Sequence, residues 1–295
     1  MVMRNEPDFM CRAVVRTPAL RVVTGSFREL CAEGIRRHDA DPVAGRLLSG
    51  ILAGSALMSA LLDEGERYTI RIDCSGPVRG LLAEASADGS VRALVRNPHV
   101  MNEADSVEMA CGEGRSLIQV TRSRDGKILN SGEARSAFRM PASALGYFLS
   151  VSDQVESEMR CEIELQADPA SPVRRAEAVL IQAMPGCDLV EFDRVRQRLL
   201  MPEAGALLRG RRLSEDPLGP LLMFLLKCEK PDFVRFDMPA ARFRCGCSAE
   251  RMRSLMRQML SREELEELFA RNSEPSVRCE FCGASYRFTR AELLG

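Results

Sequence analysis

The sequence predicts an α+β protein in three parts: a sheet-and-helix core over residues 1–186, a helical linker over 187–240 and a small C-terminal domain over 241–295. Three observations predict it. Stretches of period two, joined through Asp88-Gly89 and Asp125-Gly126, read as hairpins of half-buried strands. Stretches of helical spacing interrupt them irregularly, where a doubly wound sheet would alternate strand and helix. Two close cysteine pairs, Cys245 with Cys247 and Cys279 with Cys282, lie near the C-terminus on either side of a 31-residue gap (248 to 278).

Residues 12–24 are predicted to be extended, around Val14-Val15 and Leu20-Arg-Val-Val-Thr24. Ser26-Phe-Arg-Glu29 has the form of a capping box and predicts a helix to about His38. Asp41 can cap the next helix with Pro42 at its first position. That helix carries Leu47, Leu48, Ile51, Leu52, Met58, Leu61 and Leu62, apolar on most sides, which places it inside the core. Tyr68, Ile70 and Ile72 then alternate with Thr69, Arg71 and Asp73, a half-buried strand broken at Gly76-Pro77. Strands follow over 78–85, 90–96, 116–122 and 127–131, a helix over 141–150, and strands near 159–166 and 176–183, closed by Pro185-Gly186.

The linker opens with helical spacing of Leu189, Phe192, Val195 and Leu199. Pro202, Gly205, Gly210, Pro217, Gly219 and Pro220 interrupt it before the apolar run Leu221–Leu226. Helices this short need a packing partner. In the last segment Ser248 can cap a helix bearing Met252, Leu255, Met256 and Met259, and Ser261-Arg-Glu-Glu264 is a second capping box, before Leu265, Leu268 and Phe269. So small a core needs a staple.

The composition, 45% hydrophobic and 28% charged, is that of a soluble globular protein, and a net charge of -1 offers no basic field for nucleic acid. Trp is absent and aromatics are 5%, which argues against base-stacking surfaces. The N-terminal stretch shows no secretory leader. The most apolar window, Leu47–Leu62, is broken by Ser49, Ser55 and Ser59 and is too short and polar to span a bilayer. The expectation is a cytoplasmic chain with no membrane partner, in a compartment that keeps thiols reduced. Eleven cysteines there read as metal or redox chemistry.

Two thiol pairs one and two residues apart can complete a tetrahedral sulfur site, the geometry zinc takes in closed structural sites. Cys245, Cys247, Cys279 and Cys282 are therefore the candidate ligands of one Zn2+ per chain in the reduced state, although the first pair is Cys-x-Cys and not the Cys-x-x-Cys of an ordinary zinc ribbon. The competing readings are four unrelated buried cysteines and a zinc that is purely structural. Metal-bound sulfur is thiolate, the form that oxidants attack, and a sulfenic acid condenses with a neighbouring thiol. Each ligand has such a neighbour, so the predicted oxidised pairs are Cys245–Cys247 and Cys279–Cys282. Structural zinc contributes on the order of 10–16 kcal/mol in small peptides, against the roughly 5–15 kcal/mol stability of a whole domain. Its loss should unfold the tail, loosen a linker packed on it, and bare the Leu221–Leu226 run to other apolar surfaces such as those of unfolding proteins.

The motifs Cys245-Gly-Cys-Ser-Ala-Glu-Arg251 and Cys279-Glu-Phe-Cys-Gly-Ala-Ser-Tyr-Arg-Phe288 resemble those of the heat-shock protein 33 family of redox-regulated chaperones. Asp73-Cys-Ser-Gly-Pro77, Gly146-Tyr-Phe-Leu-Ser-Val-Ser-Asp-Gln154 and Leu180-Ile-Gln-Ala-Met-Pro185 extend the resemblance over the whole chain. It implies an α+β core, a metastable linker and a zinc domain. It also implies ATP-independent holding of unfolding client proteins, switched on by oxidation with mild heat, and a homodimer when oxidised. The four ligand positions carry over onto Cys245, Cys247, Cys279 and Cys282. The other cysteines, at 11, 31, 74, 111, 161, 187 and 228, are read as small buried apolar residues, with Cys187 and Cys228 as candidates for side disulfides.

The alternative function is a zinc-ribbon-type nucleic-acid or protein interaction module with a purely structural zinc. The tail holds ten Arg and eight Glu, formally +2, and four thiolates with one zinc bring it near zero, where a phosphate binder should be basic. An enzyme is not expected. His38 and His99, the only histidines, have no nucleophile near them in sequence and read as surface residues, and Gly112-Glu-Gly114 is too short for a phosphate loop.

Overall fold

The computed structural model describes residues 7–210, 216–271 and 274–295. The first residues of the stretch read for a leader, and 211–215 of the expected linker, lie outside the described residues. The chain forms two compact units, Met1–Phe243 and Arg244–Gly295.

The first unit begins with β1 (Phe9–Val15), β2 (Leu20–Ser26), α1 (Arg28–His38), α2 (Pro42–Ser59), β3 (Glu66–Asp73), β4 (Gly80–Ser86) and β5 (Ser90–Val95). It continues with α3 (Val107–Cys111), β6 (Ser116–Arg124), β7 (Lys127–Ser136), α4 (Pro141–Val151), β8 (Ser157–Leu165) and β9 (Val173–Ala183). Helices α5 (Leu189–Leu200), α6 (Pro202–Arg209) and α7 (Gly219–Leu226) and strands β10 (Phe233–Met238) and β11 (Arg242–Phe243) complete it. One sheet has the order β10-β1-β2-β9-β8, with every pairing antiparallel. The other runs β11-β5-β4-β3-β6-β7, antiparallel except where β11 lies parallel to β5. The hairpin at Asp125-Gly126 forms because both residues take the left-handed conformation, φ 51° and 78°.

Helix α2 is buried almost all round, as its sequence predicts, and shares one core with inner-face residues of both sheets: Val23 and Leu180 of one, Ile70, Ala83, Val91 and Ile118 of the other. Asp41 starts it by accepting hydrogen bonds from the Val43 and Ala44 N–H groups at 3.0 and 2.9 Å. Gly54 lets α4 approach, since a Cβ there would lie 2.9 Å from Leu145 Cδ1. The expected cap of α1 is corrected. Ser26 ends β2, and the Asp8 carboxylate accepts from the Glu29 and Leu30 N–H groups at 3.0 and 2.9 Å. A carboxylate distant in sequence has taken the role that a local Ser-x-x-Glu pattern predicted. Helix α3 was not anticipated; five residues are too few to show a period.

The stretch 187–240 lies within the first unit. Phe192, Val195 and Leu199 of α5, Leu208 of α6 and Leu221, Leu222 and Leu225 of α7 form a second core with Val22, Val179 and Ile181, on the face of the five-stranded sheet opposite α2. Leu189, expected on the apolar face of α5, is exposed. The apolar run in α7 is split, with Leu221, Leu222 and Leu225 inside and Met223 exposed. Arg160 of β8 donates to the Leu199 and Met201 carbonyls at 2.7 and 2.6 Å, and Arg209 pairs with Glu162. The stretch also supplies a strand where only helices were expected. Strand β10 pairs with the free edge of β1, Met10 opposite Met238.

The second unit contains α8 (Ala249–Met259), α9 (Arg262–Arg271), β12 (Ser276–Arg278), β13 (Ser285–Arg287) and α10 (Arg290–Leu294). Both expected caps form: Ser248 Oγ accepts from Arg251 N–H at 3.2 Å, and Ser261 and Glu264 exchange bonds at 2.8 and 3.2 Å. Its core is Leu265, Phe269, Phe288 and Leu293. Leu255 and Met259, expected inside, are exposed, whereas Phe288 and Leu293, C-terminal to the second cysteine pair, are buried in that core.

Candidate metal and redox centre

The four predicted cysteines meet. Cys245 and Cys247 lie in the extended segment before α8, Cys279 and Cys282 in the turn between β12 and β13. That turn closes because Cys279 N–H donates to the Ala284 carbonyl and Gly283 N–H donates to the Cys279 carbonyl, both at 2.8 Å. Gly283 sits at φ 73°, a conformation that costs a residue with a Cβ energy. All four Sγ atoms lie within 4.8 Å of one another. Cys245 Sγ is 3.7 Å from Cys279 Sγ, and Cys247 Sγ is 3.3 Å from Cys282 Sγ.

The donor set fits a zinc ion. Zinc–sulfur bonds of about 2.3 Å in a tetrahedron put the sulfurs about 3.8 Å apart, close to the spacing seen. A disulfide would need about 2.05 Å, and the sulfurs here are farther apart than that. Cys279 and Cys282 are buried, Cys245 and Cys247 half-buried.

Tyr286, which the sequence did not single out, stands over the centre: its hydroxyl donates to Cys247 Sγ at 3.1 Å. No spacing rule marks it; the β12–β13 pairing brings it there. Burial acts to raise the Cys247 pKa, but hydrogen bonds from Tyr286, Cys282, Cys245 and Cys279 outweigh it and bring the thiol down to about 7. Burial, together with its hydrogen bonds to the other three sulfurs, pushes Cys282 up to about 12. The cluster thus lowers Cys247 while raising Cys279 and Cys282, as coupled thiols do.

His38 Nε2 lies 3.0 Å from the Ala93 carbonyl in a half-buried position, not the surface position expected, and His99 is exposed, 4.0 Å from Asp39. Among the described residues no helix is long and apolar enough to cross a membrane.

Fold and site together define an α+β protein that ends in a compact module built round a four-thiol cluster. The model of the family described as "Hsp33 protein" matches residues 8–289, and the chain belongs to that family. It is 32% identical over 293 residues to the "33 kDa chaperonin" of Geobacter sulfurreducens, covering 97% of this chain and 93% of that protein. It is 26% identical to the "33 kDa chaperonin" of Bacillus subtilis, covering 98% and 97%. The crystal structure of the 33 kDa chaperonin from Thermotoga maritima shares the fold, with a TM-score of 0.81 over 97% of this chain and 96% of that one, at 22% identity.

Proposed function

We propose that this chain is a cytoplasmic holdase chaperone, not an enzyme, in which Cys245, Cys247, Cys279 and Cys282 are both the ligands of one zinc ion and the sensor of oxidants. The observation that carries this reading is the convergence of four cysteine sulfurs within 4.8 Å in a small module of an Hsp33-family chain. Zinc, when bound, holds the sulfurs as thiolates and staples a module whose own buried core is Leu265, Phe269, Phe288 and Leu293.

On oxidation a peroxide accepts two electrons from each pair. One thiolate becomes a sulfenic acid, its neighbour displaces hydroxide, and Cys245–Cys247 and Cys279–Cys282 disulfides form. Disulfide sulfur no longer binds the metal as thiolate, and the module (241–295) loses its staple. In this reading 187–240 is a separable cover on the core (1–186). Lifting α5–α7 bares Val22, Val179 and Ile181 on the sheet and the buried faces of the helices themselves. That apolar surface holds unfolding client proteins and pairs oxidised copies into a homodimer.

The test uses the reduced, zinc-loaded chain treated with hydrogen peroxide and mild warming. Expected are zinc release to a chromophoric chelator, disulfides within tryptic peptides 245–251 and 279–287, and suppressed light scattering from a heat-denatured client. Release of zinc without any suppression of scattering would leave a purely structural metal and refute the chaperone switch.

A further inference from the structure

The first unit holds a second pair of thiols that the tail chemistry does not use. Cys74 follows the end of β3 and is half-buried; Cys111 ends α3 and is buried. The segments that carry them are laced together backbone to backbone. Gly76 N–H donates to the Cys111 carbonyl and Val78 N–H to the Ala110 carbonyl, both at 3.0 Å, and Ser75 Oγ donates to the Glu113 carbonyl at 2.7 Å. The approach is close enough that a Cβ on Gly76 would lie 2.4 Å from Gly112 N. Each thiol acts on the other's titration, lowering Cys74 and raising Cys111. Cys74 Sγ also lies 3.7 Å from Ser116 Oγ, and Cys111 Sγ donates to the Arg139 carbonyl at 3.8 Å.

We propose that Cys74 and Cys111 form a second reversible redox couple, in which a hydroperoxide oxidises the half-exposed Cys74 and the buried Cys111 resolves it to a disulfide. The division of labour follows from the setting. The neighbouring Cys111 thiol is the main influence that brings the Cys74 thiol down to about 7, with Ser116 and the Arg139 cation helping against burial and Asp73. Cys111 is held well above its ordinary value by the neighbouring Cys74 and by burial, so it keeps its proton. Cys74 is thus the more acidic of the two, and it is the one a solute can reach.

The Cys74 thiolate attacks the terminal oxygen of the peroxide. The O–O bond breaks, Cys74 becomes a sulfenic acid, and the alcohol or water leaves with the proton. Cys111 sulfur then attacks Cys74 sulfur, the S–O bond breaks, and hydroxide leaves as water with the Cys111 proton. Two electrons pass from the two thiols to one peroxide, and a cellular dithiol returns them. The new bond ties the end of β3 to α3 and closes a loop containing β4 and β5. Oxidation here constrains the core, the opposite of its effect in the tail.

The test is peptide mapping of the full-length protein after hydrogen peroxide and alkylation, digested with trypsin without reductant. Expected is peptide 72–79 joined to peptide 97–115, two hydrogens lighter than their sum and separated by dithiothreitol. In Cys111→Ser the joined species disappears and peptide 72–79 carries a sulfenic acid trapped by dimedone. Peptides 245–251 and 279–287 in the same digest report the tail independently. The proposal is overturned if 72–79 and 97–115 are recovered fully alkylated under peroxide that has oxidised the tail, or if Cys74 pairs with any other cysteine. The wild-type map decides the matter even if Cys111→Ser folds poorly.

Discussion

Phe192 offers the sharpest test of the idea that α5–α7 are a removable cover. Its side chain is 2% exposed in the second core, with Val22, Val179 and Ile181 among its partners in that cluster. Truncating a buried Phe to Ala costs about 3–5 kcal/mol. A lifted α5 already exposes residue 192 to water, so the loss falls on the docked state alone. At tenfold per 1.4 kcal/mol, the lifted population of Phe192→Ala rises about 100- to 4,000-fold. Hydrogen exchange should report this as faster amide exchange confined to Leu189–Leu226, with the β6–β7 hairpin unchanged. The reduced variant should also suppress client aggregation without oxidant. Leu189→Ala is the control, because Leu189 is 58% exposed and its loss should shift stability by less than about 0.5 kcal/mol. Native exchange rates across α5–α7 in Phe192→Ala, or acceleration spread evenly over the whole unit, would show that these helices are an integral part of the core and refute the cover.

Three other outcomes follow from local geometry. The Glu66 carboxylate, buried at the start of β3, pairs with Arg122 and Arg124. Burial pushes its pKa up, but the Asp63 hydrogen bond and the two arginines outweigh this and hold it below 4.5. Its stabilising effect is therefore present above about pH 4.5 and lost as pH falls through the lower folded value. Glu66→Gln should cost about 1.5–3 kcal/mol at neutral pH in urea titrations and flatten the acid limb of stability against pH. Asp41 caps α2 with one oxygen and accepts from the Val100 and Met101 N–H groups with the other, so Asp41→Ala should cost about 2–4 kcal/mol by calorimetry and Asp41→Asn less. Tyr286→Phe should weaken zinc binding about 10- to 100-fold in chelator competition while leaving the fold intact; unchanged affinity would show that the hydroxyl only fills space.

Residues a few positions apart carry what could be read without coordinates. Period-two alternation located β3, the Asp41-Pro42 pair located the start of α2, and the Ser248 and Ser261 caps located α8 and α9. These signals are local, because side-chain period and cap chemistry act within one or two turns of chain. The cysteine spacing was legible for the same reason: a pair one or two residues apart is already half a site.

The chain order could not disclose what depends on segments that meet from far away. Asp8 caps a helix twenty-odd positions downstream, β10 adds itself to the edge of β1, and Tyr286 reaches Cys247 only through the β12–β13 pairing. Cys74 and Cys111 read as two ordinary buried thiols until the backbone contact at Gly76 and Gly112 sets them side by side. Short-range pattern thus located most of the strands and helices of this protein and its two cysteine pairs. Which apolar face is covered, and by which helices, was settled by packing, because the energy of burial depends on the surface that meets a residue and not on its neighbours along the chain.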